Sequence, residues 1–303
     1  MNAPAPSHVP VLAGPIQAAA AGARRMVDGT LGHGGHAALF VAMGAEVLGI
    51  DRDPEALAIA RHRLDGAPVT FLAGSFGDAA VHQAIIDFRP DLILLDLGVS
   101  SRQLDDDPRG FTFRPGAPLD MRMDQAGSTA ADLLNAADEV ELTAIFRDFG
   151  DERRARALAR EVVRRRVRAP FAVSDDLVNA IRAVLGPQSG AADFARLFQA
   201  IRIAVNGELE ALERSLPVFR DALTPGGTLA VISYHSGEDR IAKRYFHEWA
   251  RACICPPEQP VCTCRGRPLG AAEPRRAITA DPAEVEANPR SRSARLRIFR
   301  KAA

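Results

Sequence analysis

Within its first hundred residues this chain alternates short β-prone runs with helix-like segments, a pattern that few folds other than a parallel sheet with helical crossovers can satisfy. The runs lie at 24–28, 46–51, 69–72 and 91–97. The second helix is well marked: Asp53 can cap it, Pro54 suits the first helical position, and Leu57, Ala60 and Leu64 recur on one face. Asp51 therefore ends a strand at the carboxyl edge of the sheet, where open α/β sheets bind their ligands.

The turn after the first run reads DGTLGHGGH (28–36), four glycines in nine positions. Glycine there lets the backbone approach a nucleotide closely. The stretch from Gly32 to Ala37 satisfies G-x-G-x-x-A, with Asp51 at the distance expected for a ribose-binding acid, so a nicotinamide dinucleotide is one candidate ligand. S-adenosylmethionine uses the same geography and carries no pyrophosphate. Asp28, at the end of the first strand, favours the second ligand, because it suits an ammonium group or the ordering of the loop. His36 reads either as part of this cofactor loop or as a helix-cap or surface residue.

The fourth run ends on Asp96, which would project from a central strand toward the reactive centre of a bound cofactor; its plain alternative is a turn former. Strand signals then stop, and arginine-faced helical periodicity takes over, with Ala155, Leu158, Ala159, Val162, Val163 and Val167 on the apolar side. A long amphipathic segment runs from Phe194 to Leu212. A fifth strand follows at 228–233, and 295–299 alternates as a closing strand with 275–279 as its neighbour. The expected organisation is a discontinuous α/β domain, 1–104 with 205–303, carrying a helical insertion at 105–204.

The 303 residues balance 38 basic against 38 acidic side chains, which argues against a nonspecific polyanion binder. The charges are nonetheless clustered. Nine arginines face four acids between Arg147 and Pro170, and ten basic residues face four acids from Arg265 onward. These read either as solvated faces or as contacts to nucleic-acid phosphates, with Arg164, Arg165 and Arg166 the densest group. No apolar run suits a membrane span or a signal peptide. The four cysteines, Cys253, Cys255, Cys262 and Cys264, fall within twelve residues of an otherwise thiol-free chain, a pattern expected of a cytoplasmic protein with one local site. Structural zinc, free thiols and disulfides all fit the spacing.

Six motifs then carry a specific resemblance: DGTLGHGGH (28–36), GIDRDP (49–54), DLGVSSRQL (96–104), PLDMRMD (118–124), FQAIRI (198–203) and ISYHSGEDR (232–240). In this order, between HVPVL (8–12) and NPRSRS (288–293), they resemble the bacterial 16S ribosomal RNA cytosine-N4 methyltransferases over nearly the whole chain. The resemblance implies a class I methyltransferase fold, a Rossmann-like α/β sheet with an inserted helical domain for substrate recognition. It implies methylation of the exocyclic N4 of a cytidine at the decoding centre, with 16S rRNA in the small ribosomal subunit as partner and S-adenosylmethionine as cofactor. Carried over residue by residue, Gly34, Gly35 and His36 match the cofactor loop, Asp51 the ribose-binding acid, Phe76 the adenine neighbour, and Asp96 and Gln103 the remaining cofactor contacts. No membrane partner is expected, and a homodimer is among the assemblies to be tested.

The chemistry requires little machinery. A cytosine amino nitrogen is a poor nucleophile because its lone pair is delocalised into the ring, so alignment and an acceptor for its proton matter most. Asp96 is the candidate acceptor. His235 is a second catalytic candidate, for gripping the target base, with a structural role at the sheet edge as its alternative. Three departures from the family pattern fall on the substrate side: Gly237 in place of leucine, Tyr234 in place of phenylalanine, and an altered stretch at 191–196. Two rival functions keep parts of this pattern: a non-catalytic rRNA-binding assembly factor on the same fold, and an NAD-dependent dehydrogenase.

Overall fold

The computed structural model describes residues 10–99, 106–256, 258–259 and 261–303. These form two compact units, one of 10–98 with 209–303 and one of 99–208. In chain order the first unit opens with α1 (Ala13–Ala19), β1 (Arg25–Asp28), α2 (Gly35–Ala42), β2 (Glu46–Asp51), α3 (Pro54–Arg63), β3 (Val69–Ala73), α4 (Ala79–Phe88) and β4 (Leu92–Asp96). The second unit contributes α5 (Ala130–Ala136), α6 (Glu139–Ala144), α7 (Ala155–Arg166), α8 (Ser174–Leu185) and α9 (Ala191–Asn206). The chain then returns through α10 (Glu208–Ala222), β5 (Thr228–Ser233), α11 (Ser236–Trp249), β6 (Gly270–Ala272), β7 (Ile278–Thr279), α12 (Pro282–Ala287) and β8 (Arg295–Lys301).

The strands of the first unit form one sheet in the order β3-β2-β1-β4-β5-β8-β6, with β7 also paired to β8. Strands β1 to β5 are parallel, and β8 runs antiparallel to β5. Alternation along each strand divides two cores between the sheet faces. Met26, Leu92, Leu94, Ala230 and Ile232 pack on one side, and Val27, Ile93, Leu95, Leu229 and Val231 on the other. The second core includes an aromatic group from α11 and β8, with Trp249 and Phe299 edge to face at 5.2 Å between ring centres. Arg297 holds the other end of α11 by a two-pronged bond to Asp239, at 2.7 and 3.1 Å.

The parallel strands stand close to where the sequence places them. The neighbour expected for β8 at 275–279 shrinks to Ile278–Thr279, while β6 arises from a Gly-Ala-Ala stretch without β propensity. Pairing with β8 imposes that strand from outside. Gly270 is essential to it, since a Cβ there would lie 2.5 Å from the Phe299 ring.

The helical unit has its own core, built on Phe146, Leu158, Val162, Leu177, Ile181, Leu197 and Ile201. Its PLDMRMD segment is clamped by Asn206, which accepts from the Met123 amide (2.9 Å) and donates to the Met121 carbonyl (2.8 Å). The continuous amphipathic helix expected from Phe194 to Leu212 is instead broken at Gly207, whose φ of 59° ends α9 in a left-handed cap. Val167 lies beyond the end of α7 and is exposed rather than packed, unlike Leu158, Ala159 and Val162 before it.

The arginines of α7 also divide by role. Arg166 donates to the carbonyls of Leu134 (3.0 Å) and Ala137 (2.6 Å), satisfying the C-terminal end of α5. Arg164 and Arg165 pair with Glu161. Arg156 and Arg160 reach Glu139, and with Arg164 they form an exposed stripe at four-residue spacing. No helix among the described residues is long and apolar enough to cross a membrane.

Candidate active site

The order β3-β2-β1-β4-β5 sets the topological switch between β1 and β4, so the carboxyl ends of these strands converge on one crevice. β1 ends on Asp28, β2 on Asp51 and β4 on Asp96, while β5 leads into Tyr234 and His235. The glycine turn after β1 is stitched between its neighbours. The Gly29 amide donates to the Leu94 carbonyl (2.9 Å), and the Gly32 amide to Asp51 Oδ2 (2.7 Å). Gly34, with φ 75°, takes a left-handed conformation that favours glycine, and at Gly29 a Cβ would press on the Leu95 side chain at 2.7 Å. Gly35 opens α2 and brings in His36.

Asp28 is buried, and its Oδ1 accepts from the Thr30 amide at 3.3 Å. Burial pushes its carboxyl up to about 7, Asp96 and Asp51 adding to the shift against the opposing pull of His36 and the Thr30 amide. Asp51 is likewise raised by burial, against the amides of Asp53 and Gly32 that donate to it. Burial works to lower the pKa of His36, but Asp96 foremost, then Asp28 and Glu284, outweigh it and leave it raised. Both ring nitrogens of His36 are buried with no hydrogen-bond partner among the described residues, although Nε2 stands 3.5 Å from Asp96 Oδ2.

Asp96 is held from two sides. Its amide donates to Thr30 Oγ1 (2.6 Å), and its Oδ1 accepts from the Tyr234 hydroxyl (2.8 Å). Burial, followed by the charge of Asp96, raises the Tyr234 pKa far above its ordinary value and keeps the phenol a donor. The backbone of Tyr234 is fixed in turn by Glu238, whose Oε2 accepts from its amide at 2.8 Å. His235 caps α11: its Nδ1 accepts from the Gly237 amide (3.2 Å), and its Nε2 stands 3.1 Å from Glu238 Oε1. With Nδ1 as acceptor, the neutral ring carries its proton on Nε2. Gly237 is close to this ring, where a Cβ would sit 3.1 Å from Nδ1.

The structure thus gathers Gly34, Gly35, His36, Asp51 and Asp96 at the switch point, with Phe76 packed beside the turn after β3 against the second core. Gln103 lies outside the described residues. Sequence reasoning missed Thr30 and Tyr234. Tyr234 registers in the sequence as a departure beside the substrate; its bond to Asp96 spans 138 positions and becomes visible once β4 and β5 are known to be neighbours.

Five parallel strands ordered 3-2-1-4-5, an antiparallel strand at the β5 edge, and an acid-lined glycine turn at the switch point define the class I methyltransferase fold. The model of the MraW methylase family matches residues 6–302, and the chain belongs to that family. The ribosomal RNA small subunit methyltransferase H of Gemmatimonas aurantiaca is 58% identical over 300 residues, 97% of this chain and 95% of that protein. The protein of the same name from Heliobacterium modesticaldum is 46% identical over 286 residues, 91% of each. Among solved structures, a putative rRNA methylase from Clostridium thermocellum aligns with TM-score 0.39 and 12% identity over 92% of this chain and 88% of that chain, too distant a likeness to carry argument.

Proposed function

We propose that this protein methylates the exocyclic N4 of a cytidine in the decoding centre of 16S rRNA within the small ribosomal subunit, using S-adenosylmethionine. Membership of a methylase family and relatives named as small-subunit rRNA methyltransferases support the substrate class. The observation that carries the chemistry is Asp96, a carboxylate at the end of a central strand, oriented by Thr30 and Tyr234. The crevice also fits the cofactor's charge. Three carboxylates, Asp28, Asp51 and Asp96, suit a cation, whereas the pyrophosphate of a dinucleotide would be repelled by the same acids.

S-adenosylmethionine, when bound, supplies a methyl carbon made electrophilic by its sulfonium. In this reading Gly34, Gly35 and His36 line its methionine side, Asp28 faces its ammonium and Asp51 its ribose hydroxyls. Phe76 covers the adenine, and Gln103 completes the contacts. A carboxylate has about four acceptor sites, so the two amides already donating to Asp51 leave room for the ribose hydroxyls. Asp96 accepts a proton from the cytosine amino group, which returns the nitrogen lone pair to the nucleophile. Tyr234 keeps one oxygen of Asp96 occupied, and so aims the other. His235, engaged with its own helix, shapes the base side of the crevice.

The test is transfer of labelled methyl from S-adenosylmethionine to small subunits from a strain lacking this enzyme, with the product mapped by mass spectrometry. N4-methylcytidine at the decoding centre is expected. Cofactor binding without transfer would overturn the reading in favour of an assembly factor, and methyl on another atom would overturn the cytosine-N4 assignment.

The helical unit, in this proposal, supplies phosphate contacts. The exposed stripe Arg156, Arg160 and Arg164 fits that role better than the consecutive triplet 164–166, because Arg166 is committed to carbonyls of its own unit. Ion pairs of exposed arginines with Glu139 and Glu161 are weak enough to be exchanged for phosphate. Replacing the three stripe arginines with alanine is expected to flatten the slope of log affinity for rRNA against log salt by about 2. An unchanged slope would remove the stripe from the interface.

A further inference from the structure

The loop between α11 and β6 holds all four cysteines, and its described residues form no helix or strand. Its ends are tied together, since the Leu269 amide donates to the Trp249 carbonyl at 2.8 Å. Arg265 anchors the interior, donating through Nη2 to the carbonyls of Glu248 and Arg251. Between these anchors the described residues form no apolar core. Ile254 and Val261 are exposed, at 40% and 68%. A segment of this kind needs some other staple to keep one shape.

The sulfur atoms provide one. Cys262 Sγ lies 3.4 Å from Cys264, 3.7 Å from Cys253 and 3.9 Å from Cys255, and Cys264 lies 3.9 Å from Cys253. All four sulfurs fall within 4.8 Å of one another. A tetrahedral zinc site with Zn–S bonds of about 2.3 Å has S···S edges of about 3.8 Å. A disulfide would bring two of the sulfurs to about 2 Å and separate them from the other pair. No pair is singled out here. The even spacing is that of four ligands around one centre.

We propose that Cys253, Cys255, Cys262 and Cys264 bind one zinc ion as a closed, structural tetrathiolate site. The donor set is entirely soft sulfur, which selects zinc over the hard cations that oxygen ligands hold. Bridging sulfides of an iron cluster would spread the thiolates further apart than these distances. The Ile254 amide points at Cys264 Sγ, 3.4 Å away, the type of contact that orients a thiolate ligand. Four thiolates around a divalent ion leave a net charge of −2, and Arg251, Arg265 and Arg267 stand in the same loop to offset it. With all four positions filled by protein, the ion has no open coordination site and takes no part in methyl transfer. It fixes the loop to the end of α11, whose first turn carries the His235 cap.

The test uses the full-length protein purified under reducing conditions without chelator. Elemental analysis after exhaustive dialysis is expected to give one zinc per chain. The protein stripped of metal should bind one cobalt(II) with the strong thiolate charge-transfer and tetrahedral d–d absorption of an S4 site. Cys262→Ser and Cys264→Ser should lose that signature, and the readout on the unmutated chain does not depend on how those variants fold. Failure of the reduced, stripped chain to take up cobalt with this spectrum overturns the proposal. So does an unreduced intact mass short by the four hydrogens of two disulfides.

Discussion

Asp96→Asn is expected to lower the rate of methyl transfer at saturating cofactor about a thousandfold, while S-adenosylmethionine affinity changes by less than about tenfold. The substitution is nearly isosteric. The Thr30 contact uses the backbone amide of residue 96, and the Tyr234 hydroxyl can still donate to the amide oxygen, so the local frame survives. What disappears is the capacity to take a proton from the cytosine amino group. Tyr234→Phe probes the same atom from the other side. It leaves the carboxylate but removes the donor that fixes Oδ1, and the expected cost is about tenfold in rate with little change in KM for rRNA. Single-turnover assays alongside cofactor titration separate the outcomes. An equal loss of rate and cofactor affinity in Asp96→Asn would assign this residue to cofactor binding and leave the proton acceptor elsewhere.

The contrast between Asp53 and Tyr234 explains how far the sequence could be read. Asp53 caps α3 through the Glu55 amide, two residues away, and Pro54 follows in the first turn, so the signal and the structure share one short window. The same holds for the short, continuously apolar runs of β2 and β5, buried along nearly their whole length, and for the glycine turn after β1. Tyr234 acts on a residue 138 positions away, and Thr30 reaches one 66 positions away. Neither contact leaves a local trace. At Gly207 the apolar period continues on both sides of the break, so periodicity alone reads one helix where the backbone makes two. His235 is intermediate. The spacing to Glu238 is that of a capping box, a legible pattern that accounts for the structural role held as the alternative to gripping the base.

Asp28→Asn is expected to make the protein more stable and a poorer methyltransferase. Burial has moved the Asp28 carboxyl from 3.8 to about 7, so at alkaline pH the native state carries an ionised group that the unfolded chain would hold more cheaply. The sign follows from proton uptake. Between pH 3.8 and about 7 the folded chain binds the Asp28 proton and the unfolded chain does not, so this group's contribution to stability falls as pH rises and levels off above 7. Asparagine removes the charge and retains an oxygen for the Thr30 amide. The expected gain, measured by urea unfolding, is about 2 kcal/mol at alkaline pH and shrinks toward zero near pH 4, with the unmet hydrogen-bonding demand of the new amide setting it below the full pKa difference. Cofactor affinity moves the opposite way. Loss of a charged partner for the ammonium should weaken S-adenosylmethionine binding by about 2 kcal/mol, roughly thirtyfold. In the unmutated protein the affinity should fall as pH drops below 7, because Asp28 becomes neutral and no longer offers a charge to the ammonium. Calorimetric titration on both sides of pH 7 distinguishes the cases. An affinity that is flat with pH and indifferent to Asp28→Asn would confine this carboxylate to ordering the glycine turn.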